Sequence, residues 1–177
     1  MRSIAAFLLA CACLAVSPAA AQTGPRVGEV AGLTGPATVL RDGGASALRL
    51  GAPVHRSDRL VTLAGAKLRI LFDDGSELVV GADSKVTVAR YAPEQGQGLL
   101  QLIRGILRTA IHDAGVWQRF DVETRSAVAS ARSTEWVVAL SEDGTAVFVV
   151  DGTVAVSGGG QEVRLGPGDG TDVPPDG

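Results

Sequence analysis

Cysteine is scarce in this chain, and its placement excludes several kinds of protein. The 177 residues contain two cysteines, Cys11 and Cys13, and both lie in the apolar N-terminal segment. If that segment is removed, no thiol remains, which excludes disulfide-stapled folds and thiolate metal sites from the rest of the chain. The two histidines, His55 and His112, have no cysteine or second histidine nearby, so we interpret both as exposed loop residues.

Catalytic and cation-binding signatures are missing as well. The sequence has no Gly-x-Ser-x-Gly elbow, no Ser-x-x-Lys pair and no glycine loop carrying a phosphate-binding lysine. Asp73, Asp74 and Glu77 could offer carboxylates to Ca²⁺, but their spacing matches no calcium loop. We therefore predict that the protein is not an enzyme and that it has no catalytic, cofactor-binding or metal-binding residues.

A net positive charge and long apolar runs are also lacking after residue 21. The net charge is −3 and the arginines are scattered, whereas nucleic-acid binding usually needs a basic face. No later segment approaches the roughly 20 apolar residues of a membrane-spanning helix. These absences exclude nucleic acid as a partner and predict no transmembrane segment in the mature chain.

The N-terminus has the pattern of an export signal. Arg2 precedes an apolar stretch of about 13 residues, which is too short to span a bilayer, and Ala19-Ala20-Ala21 suits signal peptidase. We predict a cleaved signal peptide over residues 1–21 and a periplasmic or secreted protein. An uncleaved anchor is one alternative. Lipidation at Cys11 is another, disfavoured because the apolar run before it is very short.

Short β-rich segments separated by turns follow the signal. Four Asp-Gly pairs combine a turn-capping side chain with a glycine that tolerates positive φ: Asp42-Gly43, Asp74-Gly75, Asp143-Gly144 and Asp151-Gly152. Alternation or β-branched content predicts strands over residues 68–72, 77–80, 85–89 and 119–124. Residues 136–140, 146–150 and 153–156 are expected to form a closing meander.

This pattern predicts an all-β fold with a single domain of short antiparallel strands. A sandwich or a roll fits best, with β-solenoid-like stacking as the alternative because no strict repeat is visible. In residues 99–111, Gly105 favours two strands with a turn or bulge over a short helix. The domain is expected over residues 22–165, and the Gly/Pro-rich residues 166–177 are expected to form a flexible tail.

Three motifs stand in order within residues 27–173: Asp58-Arg59-Leu60-Val61-Thr62, Asp74-Gly75-Ser76 and Arg132-Ser133-Thr134-Glu135-Trp136. With the segments around them, they resemble the FecR family of bacterial cell-envelope domains. They are similar, in turn, to the end of its G-D-x-L-x-T pattern, to its D-G-S hairpin and to its R-G-T-E-F motif. Ser57 and Ser133 stand where the family has glycine, and Trp136 replaces phenylalanine.

The resemblance implies a regulatory role. In the regulators that name the family, the periplasmic domain is joined by a membrane helix to a cytoplasmic anti-sigma segment and relays the state of an outer-membrane receptor. Only the export signal precedes the domain here, so we expect a free-standing module and not a complete relay. Its implied function is protein interaction or sensing, with an outer-membrane receptor or inner-membrane regulator as the partner.

Six residues are candidates for an interaction site: Arg132, Ser133, Thr134, Glu135, Trp136 and Trp117. In one interpretation Arg132 and Glu135 form a polar recognition pair beside an exposed Trp136. In the other, Trp136 fills the core and Glu135 bonds to neighbouring backbone. Trp117 follows a predicted loop, where an exposed ring would stack on a sugar. That makes a cell-wall or surface glycan-binding module the alternative function, unless Trp117 packs in the core. A hydrolase would need a histidine beside a carboxylate.

Overall fold

The chain forms one all-β unit, described by a computed structural model over residues 24–112 and 115–176. This described part contains sixteen strands and a short 3-10 turn at Pro93–Gln95, with no α-helix. All the strands belong to one open mixed sheet, which confirms the predicted all-β class. The predicted signal peptide, residues 1–21, lies outside the described residues.

The first half of the chain contributes eight strands: β1 (Arg26–Thr34), β2 (Ala37–Arg41), β3 (Gly44–Ala47), β4 (Pro53–His55), β5 (Arg59–Thr62), β6 (Lys67–Phe72), β7 (Glu77–Val80) and β8 (Lys85–Ala92). The long strand β9 (Gln97–Ala110) follows. The second half contributes seven more: β10 (Arg119–Glu123), β11 (Val128–Ala131), β12 (Glu135–Ser141), β13 (Gly144–Asp151), β14 (Val154–Gly158), β15 (Gln161–Leu165) and β16 (Gly170–Val173).

Strand β9 belongs to two parts of the sheet, which we call wing A and wing B. Its first part pairs with β8 and β10, and its second part pairs with β7 and β12. The change of partners falls at Gly105, whose φ of +87° lies in the region that favours glycine. Residues 99–111 thus lie mainly in one bent strand. The prediction of strand over helix is confirmed, but the two expected strands are one. The pairing of β9 with β8 shifts register between Leu102 and Arg104, beside Gly105, which agrees with the expected bulge and not with a turn.

Each wing is a linear array of strands with β9 near its middle. Wing A has the order β4-β1-β6-β7-β9-β12-β13-β16, and wing B has the order β3-β2-β5-β8-β9-β10-β11-β14-β15. In both wings β1–β8 lie on one side of β9 and β10–β16 lie on the other. The predicted closing meander is wrong, because β13 pairs with β12 and β16 while β14 pairs with β11 and β15. One pair, β9 with β10, is parallel.

The two wings enclose a common core, as in a sandwich or roll. Inward side chains alternate with outward ones along each strand, which produces the alternation seen in the sequence. Aromatic rings cross between the wings: Phe72 of β6 stacks on Tyr91 of β8 with centroids 4.2 Å apart. Phe120 of β10 contacts Trp136 of β12 edge-on at 6.2 Å. These contacts hold the wings face to face.

The turns and the C-terminal segment complete the sheet. All four Asp-Gly pairs lie where one strand ends and the next begins, as predicted from their turn chemistry, with Gly144 as the first residue of β13 and Asp151 as its last. The segment after Leu165, expected to form a flexible tail, contains β16, which pairs with β13 and extends wing A past the predicted domain boundary. Among the described residues, no helix has the length and apolar character needed to cross a membrane.

Candidate functional site

The motif over residues 58–62 builds a buried ion pair. Asp58 is fully buried, and the Nε and Nη2 atoms of Arg41 donate to its two carboxylate oxygens at 2.6 Å each. The backbone N–H of His55 also donates to Asp58, at 2.8 Å. The hydrogen bond to Asp58 raises the pKa of Arg41. Asp58 therefore ties β2, β4 and β5 together and has no oxygen left facing solvent.

His55 lies beside this ion pair, and the prediction that it is an exposed loop residue is wrong. It ends β4 with its side chain 18% exposed, and its Nδ1 is 3.9 Å from the nearer oxygen of Asp58. That oxygen already accepts hydrogen bonds from Arg41 and from the His55 backbone. The carboxylate is thus engaged by Arg41, and the His55 Nδ1 lies beyond hydrogen-bond distance from it. His112 is exposed, as predicted.

The hairpin motif places Asp74 at the edge of the aromatic core. Its carboxylate accepts hydrogen bonds from the Tyr91 hydroxyl at 2.5 Å, the Trp117 Nε1 at 2.8 Å and the Ser76 hydroxyl at 2.8 Å. Burial, together with the hydrogen bond to Asp74, raises the pKa of Tyr91 far above its usual range. Trp117 is only 1% exposed, so its ring cannot stack on a sugar. The glycan-binding alternative therefore lacks the exposed aromatic ring on which it was based.

The other carboxylates of the same turn are paired as well. Asp73 lies 3.0 Å from Arg26, and Glu77 lies 3.5 Å from Arg69. Within residues 24–112 and 115–176, no group of three His, Cys, Asp or Glu side chains is arranged to hold a metal ion. The turn serves the packing of the sheet.

The motif over residues 132–136 is divided between core and surface. Trp136 is fully buried, and Thr134 is buried with its hydroxyl donating to the Thr153 carbonyl at 3.2 Å. Glu135 accepts a hydrogen bond from Arg108 Nε at 2.8 Å on the outer face of wing A. The predicted recognition pair of Arg132 with Glu135 is not formed, and the expected backbone partner of Glu135 is instead the Arg108 side chain. Arg132 and Ser133 are exposed.

These two exposed residues line an open groove of about 750 Å³ on the outer face of wing B. We call it the motif groove. Its floor consists of small side chains on β11 and β14, namely Ser130, Ala155 and Ser157. Its flanks carry longer side chains, namely Arg119, Arg132, Glu162 and Arg164.

The charges in the motif groove are unequally compensated. Arg119 Nε lies 2.7 Å from Asp121, which raises the pKa of Arg119, and Glu162 adds to that effect. The side chains of Arg132 and Arg164 have neither a hydrogen bond nor an ion pair in the part of the chain that the structure describes. The groove therefore presents two uncompensated cations on a protein whose net charge is −3.

One protein family and one solved structure are similar to this chain. The family described as FecR protein matches residues 58–155, more than half of the chain. A candidate anti-sigma factor from Parabacteroides distasonis ATCC 8503, solved at 1.65 Å and 2.50 Å, is similar with a TM-score of 0.56 and 18% identity. The similarity covers 63% of this chain and 52% of that one, so this chain spans about half the length of its neighbour. The comparison with curated proteins returned no match.

Proposed function

Because this chain belongs to the FecR family, we propose that it is a non-catalytic regulatory or sensory module of the bacterial cell envelope that acts by binding a protein partner. One observation supports this most directly. The motif side chains Asp58, Thr134 and Trp136 are buried, and the partly buried Asp74 is hydrogen-bonded to Tyr91 and Trp117. The exposed part of the motif, in contrast, opens onto a groove with unpaired arginine side chains. A site of this kind offers recognition without a reactive group.

The location and partner class are part of the same proposal. The export-signal pattern of residues 1–21 supports a periplasmic or secreted protein. The family's regulators work beside outer-membrane receptors and inner-membrane regulators, so we propose one of these as the partner. The description of the structural neighbour as a candidate anti-sigma factor agrees with a regulatory role. A glycan partner is not proposed, because Trp117 is buried.

Site-specific photo-crosslinking in the native host tests this function. A photoreactive amino acid replaces exposed Ser133 in the motif groove, and in a control it replaces Leu50, which is 71% exposed in a turn of the first half of the chain. We expect one envelope protein to be crosslinked at Ser133, and none at Leu50, with identification by mass spectrometry. No adduct at Ser133, or the same adducts at both positions, would refute binding through this groove.

A further inference from the structure

We propose that the motif groove binds an extended acidic segment of a partner protein, whose carboxylates are held by Arg132 and Arg164. The inference rests on the proposed function, because it specifies the chemistry of the partner. It follows from the charge, the shape and the lining of the groove.

The charge of the groove favours carboxylates. A guanidinium presents a planar fork of N–H donors that matches a carboxylate in two parallel hydrogen bonds. Arg119 already has a carboxylate partner in Asp121, whose two oxygens both accept from its Nε, and Glu162 lies near it. Arg132 and Arg164 have no counterpart among the described residues, although they line the same groove. A ligand with two carboxylates would give Arg132 and Arg164 each a partner, as Arg119 has in Asp121.

The shape of the groove favours an extended chain. Ser130 pairs with Ala155, and Ala155 pairs with Arg164, so three adjacent strands place two small side chains beside a long one. A floor of small side chains lets a peptide backbone approach the sheet. The Ser157 hydroxyl donates to Glu162, whereas the Ser130 hydroxyl accepts from Arg119 and keeps its proton to donate to a peptide carbonyl. The groove ends at β15, an edge strand that pairs only with β14. Its free backbone groups can add to the recognition of an extended segment.

The lining disfavours the other anionic partners. Sugars are commonly bound by stacking on aromatic rings, and the motif groove contains none. Anionic membranes are recognised by clusters of roughly four to eight basic residues, whereas this groove has two free cations. A peptide with carboxylates on alternate residues fits both the small number of cations and the flat floor.

Fluorescence anisotropy with a labelled heptapeptide of alternating serine and glutamate tests the inference on the purified protein. We expect saturable binding, and at least tenfold weaker binding of the same peptide with glutamine in place of glutamate. The double variant Arg132→Gln, Arg164→Gln should also bind the acidic peptide at least tenfold more weakly, since each charged hydrogen bond is worth roughly a factor of ten or more. Both arginines are exposed, so we expect an unchanged melting temperature.

A matched double variant separates the groove from general charge. Arg49→Gln with Arg59→Gln removes the same charge from exposed positions in the first half of the chain, and Arg59 lies on β5 of the same wing. We expect this variant to bind the acidic peptide as the unaltered protein does. Equal losses in the two double variants would overturn the inference. Tighter binding of alginate, or of phosphatidylglycerol vesicles, than of the peptide would also overturn it.

The crosslinking experiment distinguishes failure of the inference from failure of the proposed function. With the photoreactive residue at position 133, the variant lacking both groove arginines should lose most of the adduct. An undiminished adduct in that variant would leave the proposed function standing and refute the acidic segment. Absence of any adduct in the unaltered background would refute the proposed function itself.

Discussion

Asp74 is a residue whose role extends well beyond its own turn. It caps the hairpin between β6 and β7 through Ser76, and it also accepts hydrogen bonds from Tyr91 and Trp117, which is 43 residues away in sequence. Its carboxylate thereby satisfies the polar atoms of two large aromatic residues at the edge of the core. Tyr91 and Trp117 can therefore pack between the wings without leaving a buried polar atom unpaired.

The buried hydroxyl of Tyr91 makes stability depend on alkaline pH. Its pKa is raised in the folded state, so above pH about 10 the unfolded chain releases this proton while the folded chain keeps it. The folded state then binds more protons, and stability falls as pH rises, by up to about 1.4 kcal/mol per pH unit from this group. Urea unfolding at pH 9 and pH 11 should show a smaller loss for Tyr91→Phe than for the unaltered protein.

Equal losses of stability in the two proteins between pH 9 and pH 11 would contradict this role of Tyr91. Absorbance offers an independent check, because Tyr91 is the only tyrosine of the chain. Its tyrosinate band should be absent from the folded protein at pH 11 and should appear only on unfolding.

The contributions of Arg41 and Asp58 to the free energy of unfolding should depend strongly on each other. Arg41→Met leaves a fully buried carboxylate with one backbone donor, which should cost about 3 kcal/mol of unfolding free energy. Adding Asp58→Asn removes the buried charge that has lost its partner. The double variant should therefore regain at least about 1 kcal/mol of unfolding free energy. Urea unfolding at neutral pH measures both values.

A surface ion pair provides the control for this cycle. Arg26 pairs with Asp73 where both side chains are about half exposed, so Arg26→Met should cost less than about 1 kcal/mol. Additive losses for Arg41→Met and Asp58→Asn would show that the buried pair is not coupled.

Two serines that stand at glycine positions of the family, Ser57 and Ser133, differ in their backbone conformation. Ser57 stands where the family has glycine, and its φ of +73° keeps the glycine-like backbone despite the side chain. Ser133 also replaces glycine, but it does not adopt a positive φ, so a side chain is accommodated there without strain. The same substitution therefore has different physical consequences at the two sites, and only the backbone angles distinguish them.

At the scale of elements, the bend of β9 depends on Gly105. A Cβ at this position would lie 2.2 Å from Ser84 Oγ and 2.6 Å from Ser84 Cα, in addition to the positive φ. Gly43 has a similar φ of +78° but has nothing within 4 Å of a built Cβ. Gly43→Ala should cost about 1 kcal/mol from backbone strain, and Gly105→Ala should cost at least about 2 kcal/mol more from the clash. Urea unfolding of the two variants measures the difference, and equal costs would show that the close approach to Ser84 is unimportant.

The positions of strands and turns were more predictable from the sequence than the partner of each strand. Strand positions and Asp-Gly turns follow from alternation and turn chemistry, which act within a few residues. The partner of each strand depends on the whole sheet. Gly152 has a positive φ of +86° like the other turn glycines, yet its turn sends the chain from wing A to wing B. Nothing local to Asp151-Gly152 separates it from a hairpin turn.

At the scale of the whole molecule, the sequence predicted some residues of the motif groove and missed others. The family motif pointed to Arg132 and Ser133, whereas Arg119 and Arg164 join the groove through strand registers that the sequence does not reveal. For Trp117 the sequence left exposure and core packing open, and the structure has the ring packed in the core. The distant Asp74 binds its indole N–H and keeps it in the core.

The central place of β9 has a consequence for how the protein is made. In the pairing of the described strands, the two halves of the chain are joined only through β9. During synthesis β1–β9 emerge first, and until β10 and β12 follow, β9 has an unpaired edge in each wing. Such edges are where partly folded chains associate wrongly. The interval between completion of β9 and arrival of β12 is therefore when this protein most needs protection from aggregation.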